Sequence, residues 1–353
     1  MSMREPVSLG QLLMIADEEG EWDSLLEKRL RSSRPAGVLL SGRSIPTPEA
    51  TRVLLHRIGR ALEFPIFLAL DAEEADALLP RFFPSLPQPS QAVAKGHAAV
   101  KKLGEIVGSA LALSGFNLIL GPVLDLGMYP VKPFQFQFEF GSDPARVAEY
   151  GGAIVEGLRR SRVLSCPRHF PGLASVQSDA YSTMAVSAKS MAALWREDLL
   201  PFRRVLPKAP MVLVSTGAYK AYDFDSLRPA VFSSAIVQGL LRTKLLYTGV
   251  AVADLRQLGG VVSIGDLAEA GLKALQAGCD LLIIPSGERC VESVLREIKL
   301  NLDSAKVSAD RIEQALKRIQ HCRKGLVCPT GRMRNRDLEQ LVKKCIEFNR
   351  ETQ

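Results

Sequence analysis

Five short apolar runs in this chain are each followed by polar side chains able to do chemistry. Asp71 follows 65–70, Asp125 follows 117–124, Arg168 and His169 follow 162–166, Thr216 follows 211–215, and Asp254 follows 249–253. Ionised carboxylates beside an arginine and a histidine suit acid–base or nucleophilic work on a polar substrate. A single aspartate after a strand also caps the next helix, so the set carries more weight than any member.

Such residues need elements that deliver them to one place. The runs 37–40, 65–70, 117–124, 162–166, 211–215, 249–253 and 280–284 are rich in Val, Ile and Leu. They are too continuously apolar for one-sided antiparallel strands, and each gap between them fits a helix, so they read as buried parallel strands in repeated βα units. Asp143-Pro144 marks a capped helix start, and Ser187, Ser233 and Ser308 precede helical periodicity such as 191–205. Seven strands are visible and an eighth is expected without a place. With no linker, the class is α/β and the architecture a (β/α)8 TIM-type barrel, whose chemistry sits at the C-terminal strand ends.

Composition narrows the partners. The chain has 353 residues, 47% hydrophobic and 24% charged, enough apolar material for a core. Of its net charge of +7, +6 lies in residues 315–353. The body is then nearly neutral, which argues against a nucleic-acid face and leaves a basic, solvated terminal helix. No run is long and apolar enough for a membrane span, and the N-terminus lacks the basic start and apolar stretch of a secretory signal, so a cytoplasmic protein is expected. Six cysteines without a C-x-x-C pair read as reduced thiols and no metal site. Neither G-x-G-x-x-G nor G-x-x-x-x-G-K-[ST] occurs, so no nucleotide cofactor is expected, nor any other cofactor.

Arg168-His169-Phe170-Pro171-Gly172, then Asp179, then Asp198-Leu199-Leu200-Pro201-Phe202 resembles the K-H-F-P-G-H-G, D-S-H and D-L-x-P-F signature of glycoside hydrolase family 3, in its β-N-acetylglucosaminidase branch. Further matches follow in order: 37–40 with Arg43, Pro122 to Asp125, Phe140 to Pro144, 249–254, and 277–280. The resemblance covers about residues 10–325, giving a barrel over 1–325 and a basic C-terminal helix or tail over 326–353. It implies a retaining mechanism in which Asp254, at the end of the sixth visible strand, attacks the anomeric carbon and forms a glycosyl ester that water later opens. It also implies a small saccharide or glycan fragment as partner, bound by Asp71, Arg168 and His169.

The resemblance breaks where the leaving group needs a proton. In that branch the donor is a loop histidine held by an aspartate. Here the aspartate falls on Asp179, but the histidine falls on Tyr181, and the loop's His-Gly on Leu173-Ala174. The chain has only four histidines, His56, His97, His169 and His321. The family arginine before the Gly-Ser-Asp-Pro segment falls on Phe138, E-G-G-R reads Glu73-Glu74-Ala75-Asp76, and T-A-H reads Thr216-Gly217-Ala218. A phenol with a reference pKa of about 10 is poorly matched to act as acid and then base at neutral pH, so impaired activity is expected, with Asp254, Asp179 and Tyr181 as the catalytic set. The alternative is an inactive relative serving as a glycan- or protein-binding barrel. Phe134, Phe136, Phe138 and Phe140 alternate on one face of an extended segment. They suit packing on the barrel's own loops or a partner contact, and monomer and homodimer both stay open.

Overall fold

The computed structural model describes residues 8–17, 24–41, 45–62, 64–127, 140–173, 175–177, 184–258 and 267–352. Eight parallel strands form one sheet: β1 (Leu13–Asp17), β2 (Gly37–Leu40), β3 (Phe67–Asp71), β4 (Leu118–Leu120), β5 (Leu164–Ser165), β6 (Met211–Val214), β7 (Val250–Asp254) and β8 (Leu281–Pro285). Their order is β5-β4-β3-β2-β1-β8-β7-β6. The two edges meet through the chain just after β5. Leu213 N–H donates to the Pro167 carbonyl at 3.0 Å, Phe170 N–H to that of Leu213 at 2.9 Å, and Ser215 N–H to that of Phe170 at 2.7 Å. Pairing these edges turns the parallel sheet into a barrel and covers the outer strands of that sheet.

Every residue of β1, β2 and β7 is buried. One side of each strand fills the barrel and the other lies under helices, which is why these runs are apolar throughout rather than alternating. The eighth strand is β1, paired with both β2 and β8. Its Leu-Met-Ile-Ala sequence favours helix as much as strand, and a 3-10 turn, Leu9–Leu12, precedes it without a break, so local propensity hid it. Because β1 comes first, Asp254 ends the seventh strand and not the sixth.

Helix starts follow the side-chain chemistry with one correction. Asp143 Oδ1 accepts from Ala145 N–H at 2.9 Å to cap helix Pro144–Arg160, and Ser308 caps Ala309–Arg323. The segment 191–205 is two helices, Met191–Arg196 and Leu199–Val205, and the first is capped by Ser190. Ser187 instead lies in the short strand Val186–Ser187, its hydroxyl 2.8 Å from that of Ser175. Phe170 packs edge-on against Phe202 with ring centroids 5.5 Å apart, so the segments after β5 and before β6 share one piece of core.

The basic C-terminal helix, Asn335–Thr352, is only partly solvated. Leu341, Cys345 and Phe348 are buried, and Lys344 and Glu351 pair with Glu105 and Lys102 of helix His97–Ser114 at 3.1 and 2.7 Å. Among the described residues no helix is long and apolar enough to cross a membrane.

Candidate active site

The strands run one way, so the residues that follow their C-terminal ends are brought to one mouth of the barrel. Asp71, Asp125, Arg168, His169 and Asp254 all stand there. The buried Cys166 thiol lies beneath them: burial above all pushes its pKa well up, Arg168 opposes this, and Asp71 and Asp254 add to the rise.

Asp71 has two tasks. It accepts from Glu73 N–H at 3.0 Å as the cap of helix Ala72–Phe82, and both its oxygens lie 2.9 Å from Arg168 Nη1. Arg168 Nη2 reaches Glu73 at 3.0 Å, and the side chain is 1% exposed. Burial opposes the guanidinium charge, but Asp71 and Glu73 outweigh it and hold the pKa above the ordinary arginine value. Arg168 is thus a fixed internal cation tying β3 to the segment after β5.

Asp125 organises the next stretch. Its Oδ2 lies 2.7 Å from His169 Nδ1, and its Oδ1 accepts the N–H groups of His169 at 3.3 Å and Leu173 at 2.7 Å. This fixes the plane of the imidazole and leaves Nε2 as the nitrogen not held by Asp125. Below it, the buried Tyr219 hydroxyl donates to the Gly172 carbonyl at 2.7 Å. Gly172 has φ +123° and lies against Asp198, where an added Cβ would meet the Asp198 Cβ at 2.7 Å. Asp198 is itself buried and paired with Lys189.

Asp254, the last residue of β7, has a fully buried side chain clamped by Arg256. Arg256 Nε and N–H donate to Oδ1 at 3.0 and 3.1 Å, and Nη2 to Oδ2 at 2.7 Å. In the sequence Arg256 carries no mark as a partner of Asp254 beyond its position two residues past a strand-ending carboxylate, and Glu73 and Asp198 stand in motifs that assign them no role.

The match of the glycosyl hydrolase family 3 N-terminal domain runs over residues 7–322, nearly the whole barrel. The chain belongs to glycoside hydrolase family 3. Among its family 3 relatives, a protein of Chromobacterium violaceum named beta-hexosaminidase is 31% identical over 271 residues, covering 73% of this chain and 74% of that protein. One of the same name from Alkalilimnicola ehrlichii is 29% identical over 276 residues, covering 75% and 78%. The barrel also superposes on a family 3 β-N-acetylglucosaminidase of a Paenibacillus species with a TM-score of 0.81 at 21% identity, over 98% of this chain and 69% of that one. A β-N-acetylhexosaminidase of Beutenbergia cavernae gives 0.77 at 26%, over 89% and 96%.

Of the residues expected in a family 3 site, Asp71, Arg168, His169 and Asp254 lie at the same mouth, Arg168 facing inward. Asp179 and Tyr181 lie outside the described residues, as do Arg43, Ala174 and Phe134 to Phe138. Phe140 is buried and meets Tyr150 edge-on at 5.6 Å, as expected for packing on the barrel itself. The remaining histidines sit on helices around the barrel. His56 Nδ1 lies 2.8 Å from the Pro329 carbonyl, His97 opens helix His97–Ser114, and His321 lies in the last turn of Ala309–Arg323. Among the described residues no group of three His, Cys, Asp or Glu side chains could hold a metal ion.

Proposed function

We propose that this chain is a retaining β-N-acetylhexosaminidase-type barrel of impaired hydrolytic power, acting on terminal N-acetylglucosamine such as that of cell-wall fragments. The observation that carries this reading is the place of Asp254, at the C-terminal end of β7 in one ring with Asp71, Asp125 and His169. A carboxylate there attacks the anomeric carbon as the glycosidic bond breaks, and water then opens the resulting ester.

Departure of a sugar alkoxide needs a proton, and opening of the ester needs a base. Three of the four histidines are committed to outer helices, and the fourth is held by Asp125. This leaves Asp179 and Tyr181 for the proton step, with a phenol in place of an imidazole. All six cysteines are unpaired, which supports a reducing, cytoplasmic setting.

The alternative, a non-catalytic barrel that binds a glycan or a protein, is favoured by one observation: Asp254 is fully buried under Arg256. A dinitrophenyl N-acetylglucosaminide separates the two readings, because its phenolate leaves without a proton. The impaired hydrolase should release about one equivalent of phenolate in a burst and then turn over slowly, and Asp254→Asn should abolish the burst. Rapid hydrolysis of chitobiose-like substrates would overturn the impairment. Absence of any burst in a protein that still binds the sugar by calorimetry would favour the non-catalytic barrel.

A further inference from the structure

Asp254 and Arg256 form an unusually closed pair. The two residues are separated only by Leu255, where β7 passes into the 3-10 turn Leu255–Leu258. That turn folds the arginine back over the strand end, so the guanidinium faces both carboxylate oxygens edge-on while the Arg256 N–H takes a third contact. The Asp254 side chain is fully buried, whereas that of Arg256 keeps 23% of its surface exposed. Solvent therefore reaches the cage and not the carboxylate inside it.

We propose that Arg256 is a positioning residue that withholds the Asp254 carboxylate from electrophiles, the anomeric carbon of a bound sugar among them. The extension to sugar chemistry rests on the reading of Asp254 as nucleophile. Attack requires a carboxylate lone pair aimed at the carbon from about 3–3.5 Å, and the bidentate fork occupies that edge of both oxygens. When an Asp254 oxygen bonds to the anomeric carbon, the bond to the leaving oxygen breaks and its electron pair departs with the phenolate or alkoxide. The aspartate charge disappears in that step, leaving a guanidinium without its counter-ion beside a buried ester. The cage thus stabilises the carboxylate more than the ester and raises the barrier. The other ring carboxylates are also paired, Asp71 with Arg168 and Asp125 with His169, but those partners come from 97 and 44 residues away and tie elements together. Arg256 is instead local to β7, two residues past the carboxylate that it clamps.

Two measurements on the full chain test the proposal. In the first, folded protein is treated with a water-soluble carbodiimide and glycine ethyl ester, and amide formation at Asp254 is followed by peptide mass spectrometry. Wild type should stay unlabelled while Arg256→Gln, which keeps a neutral donor and the fold, is labelled at least about 10-fold faster, with Arg256→Lys in between. Arg256→Leu should label fastest, and if it fails to fold the glutamine variant carries the comparison. Equal labelling of wild type and Arg256→Gln would overturn the cage. In the second, the dinitrophenyl N-acetylglucosaminide burst should quicken about 10- to 100-fold in Arg256→Gln, with KM little changed, a gain that damage to the fold would not produce. A slower burst would mean that Arg256 assists the reaction and would overturn the proposal. Faster labelling with no burst in any variant would uphold the cage and defeat the nucleophile reading instead.

Discussion

His169 Nδ1 lies 2.7 Å from Asp125 Oδ2, joining the segment after β4 to the segment after its neighbour β5. One carboxylate thereby orients an imidazole and anchors two main-chain N–H groups. Asp125→Ala should leave all three donors without that acceptor and cost about 2–3 kcal/mol in urea unfolding, whereas Asp125→Asn should cost less because its amide oxygen still accepts. Equal stability of the two variants would show that the carboxylate is not what holds residues 169–173.

The same segment depends on Gly172. At φ +123°, with the Asp198 Cβ 2.7 Å from where its own would be, Gly172→Ala should destabilise by about 2–3 kcal/mol. Gly141 has a similar φ of +99° but nothing within 4 Å of an added Cβ, so Gly141→Ala should cost about 1 kcal/mol. Thermal melts of the two single variants check the contrast, and matching losses would mean that close packing at Gly172 adds nothing to the backbone effect.

Glu156 sets an acid limit on stability. Lys101 at 2.6 Å and Lys208 at 2.7 Å pull its carboxyl down to about 2. A depressed folded-state pKa stabilises above the unfolded value of about 4.3, and that contribution fades as pH falls through about 2. With 20% of the side chain exposed, about 1–2 kcal/mol is at stake. Glu156→Gln should therefore be less stable than wild type at pH 7 and nearly equal to it at pH 2, by denaturant melts at the two values.

Thiol reactivity should follow burial. Burial pushes Cys279 and Cys322 up to about 12, Cys345 up to about 11, and Cys166 well above its ordinary value. At pH 8 those four should react slowly with a disulfide reagent in the native protein, with the half-buried Cys290 reacting first. Denaturation without reductant should make all six reactive, and recovery of four or fewer would reveal a disulfide.

What the sequence determined by itself was local. Continuous apolar runs gave parallel strands, Asp143-Pro144 gave a helix start, and polar residues after the runs gave the mouth of the barrel, since each depends on a few neighbouring residues. The site was legible as a set of strand-ending groups, and the order of motifs carried it to family 3. Tertiary structure decided the rest. Leu13–Asp17 became a strand only because β2 and β8 pair with it on either side, which its own propensity does not require. Arg168 is legible in the motif, but its pairing with Asp71 and Glu73, which leaves its side chain 1% exposed, comes from residues 97 and 95 positions away that only the fold brings to it. Arg256 lies two residues from Asp254, yet two residues in an extended chain merely share a face. The 3-10 turn at the end of β7, with the Arg256 N–H donating to Asp254 Oδ1, closes the arginine onto both oxygens, and the turn is seen only once the chain is folded.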